Sequence, residues 1–267
     1  MNVAFNTFQF WDGRRPTLES QVLDPLTNPE EHGLQGEHDL LGRLGRIETY
    51  RAQFAEAFPT FGTEIEVVQV QKALAAYERT LLSGNSPFDR YAYGNDQGAL
   101  DSQEVRGLSL FKGAARCSNC HTIGNNAALF TDNAFHSVNV GFKKIAPRLA
   151  ELTTQLVQER KVGMSLDKTV ISREDVAELG RFAVTLDPRD IGKFRTPSLR
   201  NVALTFPYMH DGSVATLNEA VDLELYNRGA EIGIPLILTP QERADLIAFL
   251  KALNTPAAEL ERLAHQD

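Results

Sequence analysis

Cysteine is nearly absent from this chain: 267 residues hold two, Cys117 and Cys120. That count excludes a disulfide-stapled scaffold. Long apolar runs are missing too. The best of them, "IGIPLILTP", is short and broken by proline, so no segment reaches the roughly 20 residues a spanning helix needs. Basic charge is outnumbered, with 27 Lys and Arg against 35 Asp and Glu and a net charge of −8, and no basic stripe stands out. Nucleic acid is therefore not the expected partner. The opening "MNVAFNTFQFW" has neither a basic start nor an apolar stretch, so no secretory leader is expected in these residues. Clean apolar/polar alternation is also lacking, which leaves few and short strands.

What remains reads as helix and loop. "TPQERADLIAFLKALN" places Thr239 at an N-cap, Pro240 in the first turn and Glu242 three residues after Thr239. Leu246, Ile247, Leu250 and Leu253 follow at helical spacing. "TLNEAVDLELYNRG" repeats the start with Thr216 and Glu219, and Gly229 is the expected stop. "SREDVAELGRF" and "DSQEVRGLSLF" open with capping residues as well. A longer helix is predicted from Ile65 to Leu82, carrying Val68, Leu74 and Leu81. The fold class is mainly α. Long Gly- and Pro-rich loops cover 122–147 and 183–214, and loops of that length in a compact domain usually wrap a functional centre.

Both cysteines lie in "GAARCSNCHTIG". Cys-x-x-Cys-His is the attachment signature of c-type haem. Two thiols on one turn add to the two porphyrin vinyl groups, and the adjacent His121 serves as proximal iron ligand. Zinc would need further Cys or His at metal spacing, and no cysteine is left. A thioredoxin-like pair calls for a βαβ setting that is not visible. A disulfide across two residues would close a small, strained ring. Covalent haem c, one per chain, is the expectation, and with it a location outside the cytoplasm, in the periplasm.

The surroundings carry a resemblance. "RGLSLFKGAARCSNCHT", the preceding "ALAAYERTLLSGNSPFDRY", the following "LFTDNAFHSVNVG" and the later "DIGKFRTPSLRNVALTFPYMHDGSVATLNEAV" resemble the second haem site of the bacterial di-haem cytochrome c peroxidase and MauG superfamily. "FWDGRRPTLESQVLDPLTNPEE" is similar to the stretch that follows that family's first haem. The resemblance covers nearly the whole chain. It implies cytochrome c-like haem domains: residues 1–85 as the remainder of the first-haem domain without its Cys-x-x-Cys-His, with a connecting helix, and 86–267 as the second. A second haem is then expected only from a missing segment or from a partner chain.

Residue by residue, the resemblance implies roles. Trp11 matches the tryptophan that relays electrons between the haems. Gln21, Pro25 and Glu31 match residues lining the peroxide pocket, where a carboxylate shuttles protons; read bare, Glu31 is a solvated loop acid. Arg195 and Arg200 are candidates to pair with haem propionates. The backbone carbonyls of Thr205 and Pro207 match calcium ligands, hard oxygen donors suited to that ion. For the sixth iron ligand, "YNRGA" points to Tyr226, whereas an ungapped count from Pro207 points to Glu224. Met209 is a third option, and Tyr226 is preferred. His210, in the His-Asp-Gly turn, and His136 are expected near the haem, while His32, His38 and His265 are expected at the surface or in packing.

Two function classes follow. One is a peroxidase-type oxidoreductase whose second haem passes electrons to a peroxide-reacting centre, with hydrogen peroxide as oxidant and a small cytochrome or cupredoxin-like donor. The other is a mono-haem electron carrier or complex subunit with no peroxidase activity of its own.

Overall fold

The computed structural model describes residues 1–62, 64–137 and 139–264, so His265 lies outside the described residues. The chain is mainly helical. It divides into two compact units, Met1–Phe10 with Arg14–Leu82, and Trp11–Gly13 with Ser83–Asp267. The division falls three residues before the one read from sequence, and the second unit also claims the short "WDG" segment.

In the first unit, α1 (Leu18–Gln21) starts at Thr17, whose hydroxyl accepts from the Ser20 N–H at 3.2 Å. It packs on α2 (Val67–Thr80), with Leu18, Val22 and Ala75 buried and Val3, Leu23 and Leu74 beside them. The helix predicted over 65–82 is thus two residues shorter at each end. Glu66 and Gln69 form a reciprocal cap at its start. Its last turn is tied down by Arg79, which bonds Glu19 at 2.7 Å.

The second unit begins with α3 (Pro87–Tyr93), where Ser86 caps and Pro87 presets the first turn. Next comes α4 (Ser102–Lys112), opened by a reciprocal Asp101–Glu104 cap. Then follow α5 (Leu149–Lys161), α6 (Leu217–Ile232) and α7 (Pro240–Lys251). The predicted Thr216–Glu219 and Thr239–Glu242 boxes both form. Gly229 does not stop α6. The helix runs on to Ile232 and ends at Gly233, which takes a left-handed φ of 71°. Ser172 likewise belongs to the end of an earlier helix, and Arg173 precedes the short turn Glu174–Ala177.

Phe88, Phe111, Phe130 and Phe249 fill the main core, each 1% exposed or less. Their rings meet edge-on, with Phe88–Phe130 centroids 5.1 Å apart and Phe111–Phe249 5.2 Å. Burial of such a ring is worth roughly 2 kcal/mol, and each edge contact adds about 0.5–1.5 kcal/mol. A Cβ on Gly107 would fall on the Asp245 carbonyl, so α4 and α7 touch backbone to backbone there. A second cluster, Leu152, Leu156, Val176, Leu179 and Phe182, seats α5. Strands are minimal: β1 (Phe135–His136) pairs antiparallel with β2 (Phe194–Arg195), Phe135 opposite Arg195. This ribbon joins the two long loops read from sequence.

Candidate haem-attachment site

The Cys-x-x-Cys-His segment follows the end of α4. Arg116 takes a left-handed φ of 56° and redirects the chain into one tight helical turn, Cys117–Asn119. The Cys117 carbonyl accepts the Cys120 N–H at 3.3 Å and the His121 N–H at 2.9 Å. Both cysteines are free and half-buried on the same turn. Loss of water around the Cys117 sulfur, with the Glu224 carboxylate adding to it, pushes that thiol up to about 12.

His121 is fixed through one ring nitrogen. Its Nδ1 donates to the Phe130 carbonyl at 2.8 Å, which leaves Nε2 for another partner. Desolvation pushes the imidazole below its ordinary pKa, so it is neutral, the form that ligates metals. The Phe130 carbonyl sits where it does because the loops are stitched together. Thr122 Oγ1 donates to the Thr131 carbonyl at 2.8 Å, Thr131 Oγ1 to Thr196 at 2.7 Å and Ser198 Oγ to Leu129 at 2.7 Å. Ile123, Leu199, Val202 and Leu217 add apolar surface nearby. Two thiols on one turn, one neutral imidazole held by a carbonyl and an apolar surround fit a covalently attached haem.

His136 stands beside this turn, close to Cys120 and Asp132. Its Nε2 meets Asp132 at 2.7 Å. It is pushed up to about 9, first by the Cys120 sulfur and then, against the cost of burial, by Asp132.

On helix α6, Glu224 and Arg228 lie one turn apart and 3.9 Å from each other. Burial pushes the Glu224 carboxyl above the ordinary range, partly offset by Arg228. Tyr226 is on another face. It is 69% exposed and lines a surface groove with Leu225, Pro235 and Ile237. Residues two apart on a helix point nearly opposite ways, so the structure does not bring the preferred ligand to the motif. Met209 is half-buried, with a left-handed φ of 69°, in the turn where Tyr208 pairs with Val214.

Arg200 is engaged by the fold itself. Its guanidinium forks onto Asp89, with Nη2 at 2.6 Å from Oδ1, and donates to the Ala128 carbonyl at 2.9 and 2.7 Å. Arg195 lies on β2; its N–H donates to the Trp11 carbonyl at 2.8 Å and its Nη1 to the Thr196 carbonyl at 3.2 Å. Trp11 is 39% exposed. Arg181 explains why "WDG" belongs to this unit, since it donates to the Gly13 carbonyl at 2.9 Å and lies 4.4 Å from the Phe135 ring centre.

His210 meets Glu178 at 2.9 Å and stacks on Phe194 at 3.7 Å. Glu178 was not singled out from sequence. It is 3% exposed, and the Lys144 ammonium stands 3.5 Å from it and 3.4 Å from Asp211. No string around Glu178 signals this cluster, which depends on the fold.

In the first unit, Gln21 and Pro25 are half-buried in consecutive helical turns, and Glu31 is exposed, accepting from Asn28 at 2.8 Å. His32 and His38 are exposed, as expected. Thr205 and Pro207 are exposed as well.

Comparison with known proteins decides the family. A family model described as di-haem cytochrome c peroxidase matches residues 1–97. Cytochrome-c peroxidase IdrP1 of Pseudomonas sp. (strain SCT) is 35% identical over all of this chain and 69% of its own length. The chain belongs to the di-haem cytochrome c peroxidase family. The methylamine utilization protein MauG of Methylorubrum extorquens is 34% identical over 97% of the chain and 64% of that protein. A solved MauG-like protein associated with microbial copper homeostasis superposes with a TM-score of 0.73 at 30% identity, covering 96% of this chain and 74% of that one. The chain thus spans about two thirds of the length of these relatives. Members are haem oxidoreductases with a mainly helical fold. No described helix is long and apolar enough to cross a membrane.

Proposed function

We propose that the second unit holds one haem c, attached through thioether bonds from Cys117 and Cys120, with His121 as proximal ligand. The observation that carries this is the His121 ring, held at Nδ1 by the Phe130 carbonyl 2.8 Å away beside two free thiols on one turn. The haem supplies reversible one-electron chemistry. The chain attaches it, fixes the tautomer of its imidazole and keeps water from one edge with Phe130 and its neighbours. Arg195 offers a cation to a propionate.

In the wider reaction, electrons enter here from a small cytochrome or cupredoxin-like donor and leave through Trp11 toward a peroxide-reacting centre. There, two electrons and two protons convert hydrogen peroxide to two waters. Gln21, Pro25 and Glu31 line that centre, with Glu31 moving protons. The reacting haem comes from a segment or partner chain carrying a second Cys-x-x-Cys-His motif. Thr205 and Pro207 lend carbonyls to a calcium ion, and the protein works in the periplasm. A single haem motif in 267 residues also favours a second reading, a mono-haem electron carrier without peroxidase activity.

Pyridine haemochrome spectra with intact mass test the attachment. One covalent haem per chain is expected. A haem-free mass, or bound zinc, would end the reading. Co-purification of a second haem-bearing chain separates the peroxidase from the carrier.

A further inference from the structure

We infer that Arg181 is a positioning residue for Trp11, holding the segment that carries the tryptophan by its backbone carbonyls. This rests on the relay role proposed above for Trp11. Trp11 is the chain's one tryptophan and is 39% exposed, so burial does not fix it. Its backbone does. The consecutive carbonyls of Trp11, Asp12 and Gly13 each accept a hydrogen bond from the second unit. The Arg195 N–H donates to the Trp11 carbonyl at 2.8 Å. Arg181 Nη1, which bears two N–H groups, donates to Asp12 at 3.1 Å and to Gly13 at 2.9 Å. The same guanidinium lies over the Phe135 ring, 4.4 Å from its centre. Phe135 stands opposite Arg195 in the β1–β2 ribbon, so all three carbonyl contacts share one support.

The fit leaves no slack. Gly13 has a left-handed φ of 70°, and a Cβ there would overlap the Phe135 ring and stand 2.7 Å from Arg181 Nη1. A larger residue would push the segment off the guanidinium. Asp12, beside it, is 5% exposed. Arg181 is equally fixed. Its N–H donates to the Lys193 carbonyl at 2.8 Å, and the Gly192 N–H donates to the Leu179 carbonyl at 3.0 Å. Gly180, with a φ of 58°, passes so close that a Cβ would overlap the Lys193 carbonyl. Three residues upstream of Arg181, buried Glu178 meets His210 at 2.9 Å. Electron transfer through a side chain depends steeply on where its ring stands, and a misplaced reacting group by about 1 Å can cost on the order of 100-fold in rate. A half-exposed relay therefore needs its backbone clamped, and Arg181 supplies two of the three bonds.

The test uses the haem-loaded full chain grown with fluorotryptophan, with haem content and thermal unfolding measured first. One tryptophan gives one fluorine NMR line, whose shift and width report where the indole stands and how freely it moves. Wild type should give a single narrow line. Arg181→Met should shift that line toward its position in the unfolded chain and broaden or split it. Arg181→Lys, which cannot lay a plane on Phe135, should shift it less. Gly13→Ala should shift it although Arg181 is intact. A wild-type line in folded Arg181→Met would overturn the assignment. Should that variant not fold, wild-type lines from both Arg181→Lys and Gly13→Ala would overturn it instead. With a chain carrying the second haem added, Arg181→Met should lower kcat for hydrogen peroxide and leave KM unchanged. An unchanged kcat in Trp11→Phe would end the relay reading, while the fluorine line would still decide whether Arg181 holds Trp11 in place.

Discussion

Asp89 and Arg200, 111 residues apart in sequence, meet as a two-pronged ion pair with side chains 16% and 7% exposed. Asp89 sits in the first turn of α3, and Arg200 lies in the loop after β2. The pair therefore clamps one long loop to the core, and the Ala128 carbonyl, also bonded by Arg200 at 2.7 Å, draws in the other. Removing one partner leaves a desolvated charge without its counter-ion, which costs about 3–5 kcal/mol. Asp89→Ala should lower the unfolding free energy by that order, and Arg200→Lys, which cannot fork, by a smaller amount. Unchanged melting of Asp89→Ala would mean that the clamp contributes nothing.

The same pair has a pH signature. Burial opposes ionisation of Asp89, but Arg200 outweighs it and holds the carboxyl below its usual range. A depressed folded-state value stabilises fully above the unfolded carboxylate pKa, about 4, and that stability is lost as pH falls through the lower folded value. The stability gap between wild type and Asp89→Asn should be constant near neutrality and should close on acidification below pH of about 4. Chemical denaturation across that range checks it. A gap that widens in acid would reverse the sign and refute the assignment.

Gly107 lies where α4 passes over α7, and an added Cβ would overlap the Asp245 carbonyl. Both contacts are with backbone or with the Cβ of buried Phe249, so neither can swing aside. Gly107→Ala should cost at least the roughly 1–3 kcal/mol of an overpacked core, despite the better helix propensity of alanine. Thermal unfolding reads the loss directly. A stabilised variant would show that the helices separate freely.

How much of this was readable in the chain depends on range. Thr216, Thr239 and Asp101 announce their helices because each cap and its partner are three residues apart. The haem motif is equally local. The pairing of Arg200 with Asp89 is hidden because Asp89 lies in a distant segment and nothing nearby marks it. The Phe88, Phe111, Phe130 and Phe249 cluster is hidden for the same reason, being drawn from four separate stretches. Tyr226 is marked by a short string, whereas its outward direction follows from the phase of α6, which no short string shows.

The last expectation concerns peroxide. Cleaving the O–O bond requires an open iron position, a proton shuttle and an electron source. Glu31 and Trp11 stand for the shuttle and the relay, but the 267 residues carry one Cys-x-x-Cys-His motif. The resemblance gives the haem at Cys117 and Cys120 the electron-transfer role, with a sixth protein ligand that would close its iron. The haem-loaded chain should therefore turn over slowly with hydrogen peroxide and a reduced cytochrome. Adding a chain that carries a second haem should restore peroxide turnover, and Trp11→Phe should then slow it. Rapid turnover by the single chain would show that the haem at Cys117 and Cys120 is itself the reacting one.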